Sequence, residues 1–448
     1  MLFSSLLLMA FLLVMISVSS ELSWWTSIWI SALSTEIMAC ISYSNTGVSS
    51  CSYGGVFNCD ELSCAMIWLS SFICSLSLLG SNKILTQKTM ESSFLGCLLT
   101  LMLILAVCFS VNSLLMFYIF FELSLIPTFL VICGWGYQPE RLRASKFMVL
   151  YTVSASLPLL MFILCVIWTS GSLEFSLLSL WNVEVKGLFL FMACVTAFLA
   201  KTPMYGLHMW LPKAHVEAPV AGSMILAGVL LKLGGYGLAR FIQFFKEWDS
   251  AVFSCVVCLC IFGGVMGSFI CCFQVDMKSL VAYSSVGHMS LVLCGFMSGS
   301  FVGFAGAWLL MTAHGLSSSG MFYLVSEMYG LFSSRSMVLV RGMSGNLVGV
   351  NVWLVLMCGF NAAAPPSMSI CSEVILYISL MNYSLLFCGF LGFLSFLSCL
   401  YSWLLYCNTQ SGSYPSWARP VSVVSSIYLQ SVLCSSLSFP LIGLCLCL

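Results

Sequence analysis

Apolar segments of roughly 18 to 25 residues recur along the whole of this 448-residue chain, each long enough for an α-helix to cross about 30 Å of hydrocarbon. Open strands and loops cannot satisfy their backbone groups in lipid, so the segments are read as helices. Only 7% of the residues are charged against 61% hydrophobic, and the mean hydropathy is +1.07, which excludes a soluble globular domain. The fold class is all-α, a polytopic helical membrane protein.

Fourteen spans are predicted, centred in residues 2–19, 22–43, 62–80, 93–110, 113–134, 144–168, 187–211, 218–243, 251–272, 277–299, 301–325, 346–378, 384–407 and 424–447. They divide the chain into three N-terminal helices over 1–90, a five-helix block over 91–245, a second over 246–410 and a last helix over 411–448. With this numbering ten basic residues follow odd-numbered spans: Lys83, Lys88, Arg141, Arg143, Lys146, Lys213, Lys278, Arg335, Arg341 and Arg419. Lys186, Arg240 and Lys246 follow even-numbered ones. The positive-inside rule puts the ten on the cytoplasmic or matrix face and both termini on the other. One missed span would scramble that asymmetry from that point onward. The first basic residue is Lys83, so the N-terminus has the charged start of neither a signal peptide nor a transit peptide, and span one is expected to be retained.

The 24 cysteines are scattered through apolar segments. Even "CVVCLC" at 255–260 lies within a span without a second ligand pair, so cysteine is read as a small hydrophobe rather than a metal or cluster ligand. There is no nucleotide loop, dinucleotide fingerprint or long polar tail. The expected work is therefore done within the bilayer.

Apart from those in loops and at span edges, two basic residues, Lys201 and Lys232, lie near the middle of their spans. Glu122 lies near the centre of span five, and Glu373 follows a double proline in span twelve. Each ionised group costs roughly 2.5 to 3.5 kcal/mol at mid-membrane. Together, on the order of 10 kcal/mol would rival the net stability of a typical domain. They persist only if they face protein, find partners or touch water. A static buried pair could account for one such group, but four on four spans point to an ion pathway. Pro127, Pro203, Pro212, Pro365 and Pro366 interrupt or edge the same spans. Broken helices at corresponding places in two halves mark a transport site built on an internal repeat, which suggests spans four to eight and nine to thirteen as the repeats.

The four histidines add to this pattern. His288 and His314 lie near the centres of spans ten and eleven, and His208 and His215 follow Lys201 at intervals of seven. Seven residues are nearly two helical turns, so the three would share one stripe if Pro203 and Pro212 leave the helix intact. Histidine gains and loses its charge near neutral pH, which suits a proton path. Thr196, Ser284, Ser285 and Ser318 could hold water along it, or simply pack.

The stretches "YIFFELSLIPTFLVICGWGYQPERLRASKF", "KTPMYGLHMWLPKAHVEAPVAGSMILAGVLLKLGGYGLAR", "DMKSLVAYSSVGHMSLV", "AHGLSSSGMFYL" and "APPSMSICSE" resemble the mitochondrial NADH-ubiquinone oxidoreductase chain 4 family, antiporter-like membrane-arm subunits of respiratory complex I. The resemblance covers about residues 112–325 and returns near 364–373. It implies two inverted five-helix repeats, each with a discontinuous helix, and proton translocation coupled to NADH oxidation and ubiquinone reduction elsewhere. By it, Glu122 pairs with Lys201, Lys232 is the connecting lysine, and Glu373 is the acidic end of the second half-channel. His208, His288 and His314 match histidines of the polar axis between them; apart from the resemblance, His215, Ser284 and Ser285 are read from their positions as candidate entry or auxiliary residues. One departure is the loop "SEMYGLFSSRS", which carries fewer charges than the family usually places after span eleven.

No catalytic residue, metal or cofactor is expected on this chain itself. NADH, FMN, iron-sulfur clusters and ubiquinone belong to the complex. The implied partners are other membrane-arm subunits and lipids such as cardiolipin, with no nucleic acid, in the inner mitochondrial membrane with both termini toward the intermembrane space. A free-standing Mrp-type antiporter, a sibling complex I subunit and a passive scaffold are the competing readings.

Overall fold

A computed structural model describes residues 20–44, 51–53, 57–180, 187–245, 250–343 and 348–415. The expected first and last spans, and with them Lys186, Lys246 and Arg419, lie outside the described residues.

Long apolar runs fold as helices that close their backbone hydrogen bonds internally. The first described helix, α1 (Ser20–Ser44), leads to an antiparallel pair of short strands, β1 (Cys51–Tyr53) and β2 (Phe57–Cys59), in the most polar stretch of the chain. Then follow α2 (Glu61–Gly80), the short α3 (Asn82–Gln87), α4 (Glu91–Ser110), α5 (Leu114–Leu123), α6 (Leu125–Trp135), α7 (Arg141–Ser170) and the short α8 (Phe175–Leu180). Next are α9 (Leu188–Lys201), α10 (Trp210–Glu217), α11 (Val220–Ile225), a π turn (Leu226–Leu230) and α12 (Leu231–Phe241). The remaining helices are α13 (Ser250–Cys272), α14 (Met277–Met297), α15 (Phe301–Phe332), α16 (Val348–Asn361), α17 (Met368–Tyr383) and α18 (Phe387–Gln410). Among the described residues, eight helical segments of 20 to 30 residues are apolar and long enough to cross a membrane, with shorter apolar helices at 188–201, 350–361 and 368–383.

The many serines are accommodated locally. Ser70 Oγ donates to Ile67 O at 2.8 Å and Ser285 Oγ to Ala282 O at 2.6 Å, so a hydroxyl in an apolar span is satisfied by its own helix.

Burial is inverted relative to a water-soluble protein. Trp168 is 91% and Phe301 86% exposed, whereas Lys201, Lys232, His288 and Glu373 are at most 5% exposed. An apolar rim around buried ionisable groups is the arrangement that lipid requires.

The described helices form two compact units. The first comprises the described parts of Met1–Lys201 and Glu217–Trp248, the second those of Thr202–Val216 and Asp249–Leu448. Within the first, α1 packs on α2 and α9 on α7. Gly237 on α12 lies so close to the Phe198 ring on α9 that a methyl group there would collide with it. In the second unit α13 packs on α14 and α15 on α17. The chain leaves the first unit at Lys201 and rejoins it at Glu217, at the ends of the interruption that the prolines predict.

Candidate functional site

In the first unit the span over 114–135 divides at Ser124, three residues before Pro127. Proline has no N–H for the carbonyl four residues back and crowds that turn. At the break Ser124 Oγ donates to Phe121 O at 2.8 Å. The same carbonyl accepts Lys201 Nζ at 2.8 Å, and the ammonium lies 3.2 Å from the centroid of the Phe121 ring. Lys201 is the last residue of α9 rather than the middle of an unbroken span. Beyond it Pro203 and Gly206, with φ of +95°, keep 202–209 out of a helix, so Lys201, His208 and His215 do not form a helical stripe.

The expected Glu122–Lys201 ion pair is not made within contact distance. Glu122 lies in electrostatic range of Lys201 and near Ser156 of α7, but its Oε1 is buried with no hydrogen-bond partner among the described residues. A charge-assisted hydrogen bond and a desolvated cation–π contact together contribute on the order of 4 kcal/mol, enough to offset a mid-membrane lysine cost of about 3 kcal/mol. The carbonyl and ring of Phe121 can thus hold the ammonium without the carboxylate.

Lys232 follows the π turn and donates from Nζ to Ala227 O within it. The wider turn displaces the helical hydrogen bonds, a feature that recurs at functional sites. Further along α12, Tyr236 Oη donates to Phe109 O at 2.8 Å and accepts Arg240 Nε at 3.1 Å, while Arg240 makes an ion pair with Asp60. Asp60 lies just after β2 at the start of α2, where its backbone N–H donates to Ser63 Oγ at 2.7 Å.

In the second unit α14, α15, α17 and α18 bring together His288, His314, Glu373 and Tyr401. His288 Nδ1 is 3.5 Å from Glu373 Oε1, its Nε2 is 3.1 Å from Tyr401 Oη, and its ring centroid is 5.4 Å from that of His314. Glu373 is positioned by the interruption after α16, where Ser367 caps α17 through Ile370 N–H and Ser369 Oγ donates to Phe360 O at 2.6 Å. Ser318 Oγ donates to His314 O at 2.6 Å.

The other histidines of this unit have different settings. His208 accepts Gly206 N–H through Nδ1 at 3.2 Å, stacks on Tyr205 and meets Tyr283 edge-on. His215 stacks on Phe322 with centroids 4.5 Å apart. Ser284 and Ser285 bond to carbonyls of their own helix and join neither group. Cys255 and Cys258 are exposed while Cys260 is buried, so the densest cysteine run does not converge on one point. Tyr401, the Phe121 carbonyl and the π turn were not selected by sequence reasoning. A tyrosine in an apolar span is the only mark the sequence carries of the first.

Interrupted apolar helices with buried lysine, histidine and carboxylate are features of a membrane-embedded domain of the ion-translocating kind. The family described as NADH:quinone oxidoreductase/Mrp antiporter, TM, matches residues 111–398, and that described as NADH-ubiquinone oxidoreductase chain 4, amino terminus, matches residues 1–108. Curated proteins called NADH-ubiquinone oxidoreductase chain 4 are similar over most of the chain: that of Ceratitis capitata is 42% identical over 79% of each chain, and that of Locusta migratoria 40% identical over 88% of each. This chain belongs to the NADH-ubiquinone oxidoreductase chain 4 family. Its fold is also that of a chain in respiratory complex I from Thermus thermophilus with bound NADH, with TM-score 0.85, 22% identity, and coverage of 97% of this chain and 94% of that one.

Proposed function

We propose that this chain translocates protons across the inner mitochondrial membrane as an antiporter-like subunit of respiratory complex I, driven by NADH oxidation and ubiquinone reduction in other subunits. The observation that carries the reading is the buried Lys201 ammonium, held at a helix break by a backbone carbonyl and a ring while Glu122 lies within electrostatic range. Such a group has two places to be, and moving between them changes its hold on a proton.

The energies match. Moving a proton against about 200 mV takes roughly 4.6 kcal/mol. A close ion pair at about 4 Å is worth on the order of 4 kcal/mol at an effective dielectric near 20. Opening or closing one Glu122–Lys201 pair is therefore of the right size to drive one transfer. The proposed order is Lys201, Lys232, His288, Glu373, with His314 and His208 as further stations and His215, Ser284 and Ser285 as auxiliary ones. The proposed repeats are spans four to eight and nine to thirteen, within a fold of fourteen helices. Flavin, clusters and quinone belong to other subunits, and neighbouring membrane-arm subunits and lipids such as cardiolipin surround this chain.

Lys232→Ala in the intact complex, reconstituted in proteoliposomes, is expected to abolish most proton pumping coupled to NADH oxidation. Unchanged protons per NADH would sink the proposal.

A further inference from the structure

Glu122 has a neighbour that competes with it. Phe121 is 1% exposed, with its ring held between Phe117 at 5.7 Å and, edge-on, Phe198 at 6.0 Å. Its face receives the Lys201 ammonium at 3.2 Å and its carbonyl receives the same nitrogen at 2.8 Å. The carbonyl is placed to do so by the break at Ser124. Consecutive residues of α5 therefore offer Lys201 two kinds of seat, a neutral one made of ring and carbonyl and a charged one made of carboxylate.

The seats differ in what they do to the lysine. A carboxylate neutralises the ammonium and holds it by a strong field. A ring face and a carbonyl stabilise it through a quadrupole and a dipole, which fall off faster with distance and leave Glu122 its full charge. A lysine on the neutral seat is ready either to give up its proton or to return to the carboxylate. Without that seat, the alternative to Glu122 is an unpartnered ammonium among phenylalanines, and the pair would rarely open. We infer that Phe121 is a positioning residue for proton transfer, the resting seat that holds the Lys201 ammonium while the Glu122–Lys201 pair is open. This rests on the reading of Glu122 and Lys201 as a proton switch.

The test compares Phe121→Leu, which removes the π face but stays apolar, with Phe121→Tyr, which keeps the ring, in the intact complex. Two measurements are made: turnover-coupled pumping in proteoliposomes, and the position of Lys201 Nζ by electron cryomicroscopy. Phe121→Leu is expected to slow coupled turnover by at least about threefold and to shift Nζ into ion-pair contact with Glu122, while Phe121→Tyr stays within about twofold of the parent. Equal slowing by both variants, or an Nζ still on the residue-121 carbonyl in the leucine variant, would overturn the inference. Lys201→Ala separates the two claims. If it pumps normally the proton-switch reading fails, whereas the Nζ displacement tests the seat by itself.

Discussion

The two units bury ionisable groups beside interrupted helices but hold them in different ways. In the first, Lys201 sits on the backbone and ring of Phe121, with its natural counter-charge near but not touching. In the second, His288 is hydrogen-bonded through Nε2 to Tyr401, while Glu373 Oε1 lies 3.5 Å from Nδ1, within ion-pair range but without a hydrogen bond. The first arrangement is a cation held by neutral groups with a carboxylate in electrostatic range. The second is a compact cluster in which a shift of a few tenths of an ångström would close the His288–Glu373 gap into a hydrogen bond. The local cause is the position of the break: the one at Ser124 leaves the Phe121 carbonyl at the end of α5, against Lys201, whereas the break after α16 sets the start of α17 and so places Glu373 in the second turn of a continuous helix.

The largest expected effect breaks the second unit. Glu373→Gln keeps the size and removes the charge that faces His288 Nδ1, so coupled proton pumping is expected to fall by about tenfold or more, the scale of losing a positioned proton-transfer group. Acidification of proteoliposomes per NADH oxidised measures it. A normal ratio would mean that the imidazole–carboxylate contact is only structural.

A smaller effect concerns stability and sharpens what belongs to the switch. The first unit contains an ion pair that is made, Arg240–Asp60, with side chains 20% and 24% exposed, braced by Tyr236. Arg240→Met is expected to destabilise the subunit by about 1–3 kcal/mol, between a surface pair and a fully buried one. The amount of assembled complex and its melting temperature should fall while protons per NADH in the surviving complex stay unchanged. A changed ratio would place Arg240 in the pathway and undo the separation of brace from switch.

Much of this comparison could be read in the sequence because its causes are local. Apolar length determines where the described spans lie, and Pro127, Pro203 and Pro365–Pro366 mark where they are interrupted. Buried charge is legible for the same reason: Lys201, Lys232 and Glu373 stand out against apolar neighbours. The paired stripe of Lys201, His208 and His215 failed because Pro203 and Gly206 remove the helical phase between them. What could not be read is tertiary. Tyr401 meets His288 across 113 residues of sequence, and Phe121 becomes a cation seat only when α9 delivers Lys201 to it. The π turn carries no residue-level signature, since Leu226–Leu230 reads as any apolar turn.

The smallest expected effect tests the relay from its other end. If Tyr401 Oη at 3.1 Å belongs to the hydrogen-bond run, removing it leaves His288 Nε2 in a buried site without its hydroxyl while the Glu373 contact stays intact. An imidazole that loses one partner but keeps its carboxylate has still one face from which to exchange a proton. Tyr401→Phe should therefore slow coupled turnover by only about threefold, roughly one neutral hydrogen bond, with little change in assembly. The slowing should carry a larger solvent isotope effect than the parent, because proton movement at His288 becomes the slower step. A rate and isotope effect equal to the parent would confine the relay to the His288–Glu373 contact. The second unit would then resemble the first more closely, with a single ionisable pair beside a helix break.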